Sequence, residues 1–133
     1  MVNPKELFEE CPVAMGVELI KRKWLLLIVR DIYSGKTHFN EFKKENPGIT
    51  NRVLSNCLKD MEEKGLIVKI TSGKNQFDTE YHLTERGEKL NHVLYALGSY
   101  MAETDPYFDK FDEKQRAEIK SYLKNKYDIK VDF

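Results

Sequence analysis

Two short amphipathic segments, residues 39–46 and roughly 51–64, are joined through Asn46-Pro47-Gly48, and this junction constrains the chain more than any other feature. A residue before proline avoids the helical region and glycine turns freely, so one helix must end and another begin within a few residues. The first segment places Phe39 and Phe42 on one side. In the second, Thr50 is a natural N-cap and Gly65 a C-cap. Val53, Leu54, Cys57, Leu58 and Met61 fall on one arc, and Arg52, Ser55, Asn56 and Lys59 on a neighbouring polar arc. The apolar arc is expected to dock inside and the polar arc to face outward.

The flanking segments extend the pattern. Residues 12–21 read as a short helix opened by Pro12, with Val13, Val17 and Ile20 at helical spacing. Lys21-Arg22-Lys23 makes a charged joint before residues 24–33, which are apolar nearly all round and so read as a central core helix ending at Ser34-Gly35. Thr37-His38 resembles a stub of strand. Beyond Gly65, residues 66–71 and 80–83 are β-rich and flank a polar, glycine-bearing turn at 72–78, which predicts a hairpin. Thr84 then caps a helix over about 85–102, and a final helix spans about 112–126. The fold class is therefore mainly α with a small β-hairpin (α+β), a winged helix-turn-helix with N- and C-terminal dimerisation helices. A single domain, 1–133, suits the length. Its DNA-binding core is expected at 12–84, and its dimerisation helices at 85–126 together with the N-terminal segment.

That order of elements carries a function. A helix fits the major groove of B-DNA, and its outward polar face reaches base edges. Thr50, Asn51, Arg52, Ser55, Asn56 and Lys59 form the candidate reading face. Lys43, Lys44 and Lys74 are candidate backbone contacts, with His38 before the first helix of the pair and Asn75 and Gln76 at the wing tip. The net charge is zero, which does not favour a nucleic-acid binder, but the charges are unevenly placed. Residues 36–74 hold eight Lys/Arg against five Asp/Glu, and residues 103–118 hold six acids against three bases. The middle is mildly basic and the tail acidic. Helix pairs of this kind also serve as protein–protein interaction modules, so that alternative stands beside DNA binding.

At this level of detail the residues resemble a known family. Cys11-Pro12, Lys23-Trp24, Phe39-Asn40-Glu41-Phe42, Pro47-Gly48-Ile49-Thr50, Arg52-Val53-Leu54-Ser55 and Leu83-Thr84-Glu85-Arg86-Gly87 look like HxlR-type bacterial transcriptional regulators across roughly residues 11–100. The resemblance implies a homodimer that reads a pseudo-palindromic operator in double-stranded DNA and regulates genes for detoxification, redox or small-molecule stress. In several members a cysteine just before the proline of the first helix senses oxidants or electrophiles, which makes Cys11 a candidate redox sensor. The helix dipole favours a thiolate there, and Lys21–Lys23 are expected to help. An electrophile or small molecule is the effector class this implies. Two departures stand out: Cys57 replaces a residue that is often polar or basic, and the wing carries Lys74 without the usual proline-rich, arginine-bearing tip.

Other chemistry finds little support. No glycine-rich phosphate loop, nucleophile elbow or clustered carboxylate pair is present, so no cofactor and no enzyme activity are expected. A thiol-dependent redox enzyme using Cys11 is the weaker alternative, and Cys57 reads as an inert core thiol. His38, His82 and His92 lack metal-ligand spacing. Trp24 with Leu27 and Ile28 reads as core packing sooner than a ligand pocket. The stripe Leu90, Val93, Leu94, Leu97 and Met101, with Ile119, Tyr122 and Leu123, is expected to form the dimer interface, packing within the protomer being the alternative. The longest apolar run, Trp24 to Val29, is far short of a membrane span, and the N-terminus lacks a signal core, so the expected compartment is the cytoplasm.

Overall fold

Leu25, Ile28 and Val29 have no exposed surface, and the rest of the molecule is arranged around them. They lie on α2 (Leu25–Tyr33), the central helix of a computed structural model that describes residues 3–73 and 78–130. Before it comes α1 (Pro12–Ile20), opened by Cys11 in extended conformation and by Pro12 at the first helical position. After it come α3 (Phe39–Glu45) and α4 (Asn51–Glu63), then the antiparallel strands β1 (Ile67–Thr71) and β2 (Thr79–Leu83). The chain continues through α5 (Glu85–Glu88), α6 (Asn91–Thr104), a 3-10 turn at Pro106–Lys110 and α7 (Glu113–Lys126). Phe42, Leu54, Leu58, Met61, Leu66 and Tyr95 complete one continuous apolar core with α2. The hairpin pairs Ile67 with Leu83 and Thr71 with Thr79.

Two expectations change in detail. Thr37 forms no strand; its carbonyl accepts a single hydrogen bond, from the Tyr81 amide at 2.8 Å. The helix expected over 85–102 is broken between α5 and α6, because its two halves are held by different partners. On α5, Thr84 caps the Gly87 amide at 3.0 Å and donates its hydroxyl to the Gly65 carbonyl at 2.6 Å, while the Tyr33 hydroxyl donates to the Glu88 carbonyl. On α6, the Asn91 side chain donates to the Tyr127 carbonyl at 2.8 Å, docking this helix to the end of α7. The 3-10 turn, α6 and α7 are gathered by Arg116, which donates to the carbonyls of Ala102, Phe108 and Phe111.

A buried polar link fixes α3 to α2. Asp31 and Asn46 are both almost fully buried. The Asn46 amide donates to Asp31 Oδ2 at 2.6 Å and to the Phe42 carbonyl at 2.8 Å. Arg30 donates twice to Asp31 Oδ1, at 2.8 and 3.0 Å, and to Asn46 Oδ1 at 3.2 Å. Each buried polar atom of the pair is thereby matched, as burial requires.

The apolar stripe on the terminal helices divides. Leu90 and Leu94 are buried in the protomer's own core, and Val93 and Leu123 pack against it. For Leu90 and Leu94 the expectation of a dimer contact is corrected, because the core that α6 and α7 close over takes up their side chains, while Val93 and Leu123 stay half-buried. Ile119 is half-buried, while Leu97, Met101 and Tyr122 are exposed, as are Val13 and Val17 on α1.

Two tests of this packing follow from close contacts. A Cβ on Gly87 would collide with the backbone carbonyl of Leu66, so Gly87→Ala is expected to destabilise by about 1–3 kcal/mol or more. Gly98→Ala would meet only the end of Leu123 at 3.3 Å, and it should be near neutral in the same urea titration. Asn46→Ala leaves a buried carboxylate oxygen without its donor, and a loss of about 1–3 kcal/mol is expected in urea unfolding.

Candidate nucleic-acid interface

The helix α4 is built from its caps inward. The Thr50 hydroxyl accepts the Val53 amide at 3.1 Å, starting the helix, and Gly65, at φ +72°, lets the chain leave it. At the preceding turn Gly48 takes φ +97°, a conformation that other residues rarely adopt, and Ile49 drops into the core. Leu54, Cys57, Leu58 and Met61 are each 2% exposed or less. They seat α4 against the core, so that Thr50, Asn51, Arg52, Ser55, Asn56 and Lys59 are all brought together on the solvent side. Val53, expected on the buried arc, is 39% exposed instead. At one helical residue per 100° it lies at the rim of the buried face, beyond the reach of the core.

Both ends of α4 are tied to other elements. At its start the Lys43 ammonium donates to the Asn51 side-chain oxygen, joining α3 to α4 and linking a predicted backbone contact to a predicted reading residue. At its end Asp60 pairs with Arg22 at 3.1 Å and with Lys64 at 3.0 Å. Lys64 also donates to the Leu19 carbonyl at 2.8 Å, and Arg86 donates to the Lys64 carbonyl. Lys44 is exposed on α3. His38 caps α3: its Nδ1 lies 3.0 Å from both Glu41 Oε1 and Thr37 Oγ1, and Glu41 accepts the amides of Thr37 and His38. The Thr37 amide first, then the His38 ring, holds the Glu41 carboxyl below the usual carboxylate range. His38 thus serves the fold at one ring nitrogen. Lys74, Asn75 and Gln76 lie outside the described residues.

The two thiols differ sharply in setting. Cys11 is exposed at the start of α1, and its side chain makes no capping bond. The supporting role expected of Lys21–Lys23 falls away, since Lys21 stands ten residue steps beyond Cys11, about 15 Å along a helix. Lys21 pairs with Glu18, Arg22 with Asp60, and Lys23 sits over the Trp24 ring. Cys57 is buried with its sulfur 3.9 Å from that of Met61, and burial pushes its thiol up to about 11. Its side chain points inward, away from the exposed polar face of α4. Among the described residues no group of three His, Cys, Asp or Glu side chains is placed to hold a metal, and no helix is long and apolar enough to cross a membrane.

Sequence reasoning missed the Asp31–Asn46–Arg30 network that sets the turn before α4. Its one visible signal is an aspartate inside the apolar run from Leu25 to Tyr33.

Comparison with known proteins places this geometry in a family. The HTH-type transcriptional regulator YdeP of Bacillus subtilis (strain 168) is 33% identical over 113 residues, covering 85% of this chain and 88% of YdeP. Among solved structures, PA1607 superposes with a TM-score of 0.68 at 31% identity, over 77% of this chain and 71% of that one. The redox regulator HypR in its reduced form gives a TM-score of 0.68 at 26% identity, over 76% of this chain and all of HypR. Residues 19–107 match the model for the HxlR-like helix-turn-helix, and the chain belongs to that family.

Proposed function

We propose that this chain is a cytoplasmic transcriptional regulator that binds a pseudo-palindromic operator as a homodimer. The observation that carries the reading is the two-sidedness of α4: four apolar side chains sealed in the core and Arg52, Ser55, Asn56 and Lys59 together in solvent. A helix held this way can lie in the major groove, where Arg52 suits the O6 and N7 acceptors of guanine and an asparagine the N6 and N7 of adenine. The Lys43–Asn51 bond orients the Asn51 amide from behind, while the exposed Lys44 is set to meet phosphates. The exposed apolar residues Val13, Val17, Leu97, Met101 and Tyr122 supply the surface through which two copies would pair, presenting their α4 helices about 34 Å apart.

Mobility shift or fluorescence polarisation against a selected duplex tests this. Affinity should fall linearly in log salt, with a slope near −0.9 per phosphate contacted. Arg52→Ala should cost about 1–3 kcal/mol at the cognate site. Absence of any DNA affinity would leave the interaction-module reading in its place.

The exposed Cys11 favours a second layer, regulation by oxidants or electrophiles, in line with a structural relative described as a redox regulator. In the native protein a thiol reagent is expected to modify Cys11 quickly and Cys57 only after unfolding, since a thiol pushed up to about 11 holds almost no thiolate at pH 7. Diamide or a quinone should change operator affinity in the wild type and leave Cys11→Ser unaffected. Equal responses would retire the sensor.

A further inference from the structure

Val53 is the residue of α4 whose surroundings least suit its chemistry. It is a β-branched apolar side chain left 39% exposed, on a helix whose other apolar residues are sealed to 2% or less. Helix stability does not ask for it, because valine is a poorer helix former than alanine. Exposed apolar surface also contributes nothing until something covers it. Its position, however, is closely defined. Its amide is held by the Thr50 hydroxyl at 3.1 Å, and its branched Cβ leaves a single preferred rotamer in a helix. It follows Arg52 directly and stands one turn before Asn56, both exposed. A rigid methyl pair therefore borders the polar reading face.

The floor of the major groove offers one apolar feature, the C5-methyl of thymine. Resting on the DNA-binding reading above, we propose that Val53 is a specificity-determining residue that packs against a thymine C5-methyl group in each half-site. Its contribution comes from burying methyl against methyl, with no hydrogen bond, and little side-chain freedom is lost because the rotamer is already set.

The test uses the full chain and a duplex that it selects from a random pool. Each thymine of the half-site is replaced in turn by deoxyuridine, which removes the methyl and leaves base pairing intact. For the wild type, one such replacement should weaken binding about three- to fivefold, the value of one buried methyl. For Val53→Ala, which is expected to fold at least as well, the same replacement should change nothing. Val53→Thr, which keeps the branched shape, should retain most of the discrimination. If every deoxyuridine replacement weakens both proteins equally, or weakens neither, the role of Val53 is overturned and DNA reading by Arg52 and its neighbours stands. If the chain selects no preferred duplex at all, the proposal falls together with the reading beneath it.

Discussion

The geometry of the candidate interface depends on one buried carboxylate. Asp31 sits on the central helix with almost no access to water, where an unmatched charge would cost several kcal/mol. Its two oxygens are divided between Arg30 and the Asn46 amide, and Asn46 returns an oxygen to Arg30. Such a closed set has few alternative arrangements, because moving any member strands a buried polar atom. The turn at Asn46 is therefore fixed against α2, and α4 begins five residues past it. The direction in which the polar face of α4 points is set here, before any residue of that face is reached.

The far end of α4 is fixed differently. Asp60, Arg22 and Lys64 are partly exposed, and ion pairs of this kind contribute at most about 1 kcal/mol each. The firmer constraint is steric and apolar: Leu66 and Ile67 are buried, and Gly87 admits the Leu66 carbonyl where any side chain would collide. One end of the helix is thus positioned by a satisfied polar network and the other by close backbone packing. A helix clamped at both ends presents side chains at fixed angles, which base-edge recognition requires and non-specific attraction does not.

The elements with strong local signals were legible in the sequence. Thr50, Gly65 and Thr84 act as caps where their chemistry placed them, and the Asn46-Pro47-Gly48 turn separates α3 from α4. The polar face of α4 was legible for the same reason, since helical periodicity alone divides its residues. What depended on tertiary partners was not. The break between α5 and α6 accompanies docking to the Gly65 turn on one side and to the end of α7 on the other, and Gly87 alone does not locate it. Burial of Leu90 and Leu94 required knowing that α7 folds back, and the exposure of Val53 turns on a few tens of degrees around a helix. The pairing of Asp31 with Asn46 spans fifteen residues and leaves no periodic trace.

A neutral chain that reads DNA must do so with little help from net charge. The basic surplus of residues 36–74 is three, and it is balanced by the acidic stretch at 103–118. Salt at physiological strength screens charges beyond about 8 Å, so those acids weaken phosphate attraction only if they approach the duplex. They lie in the α6–α7 end of the chain, away in sequence from the Asn46 turn and α4. With so small a basic surplus, phosphate attraction would add little on the proposed reading, and discrimination would depend on contacts with base edges. One α4 helix exposes five polar side chains that could make them, Asn51, Arg52, Ser55, Asn56 and Lys59. Two helices on a rigid pair of protomers would double them, and this arithmetic gives the exposed apolar residues of α1, α6 and α7 their significance. On the proposed pairing they would be the surface that turns the weak reading of a single copy into the recognition of an operator.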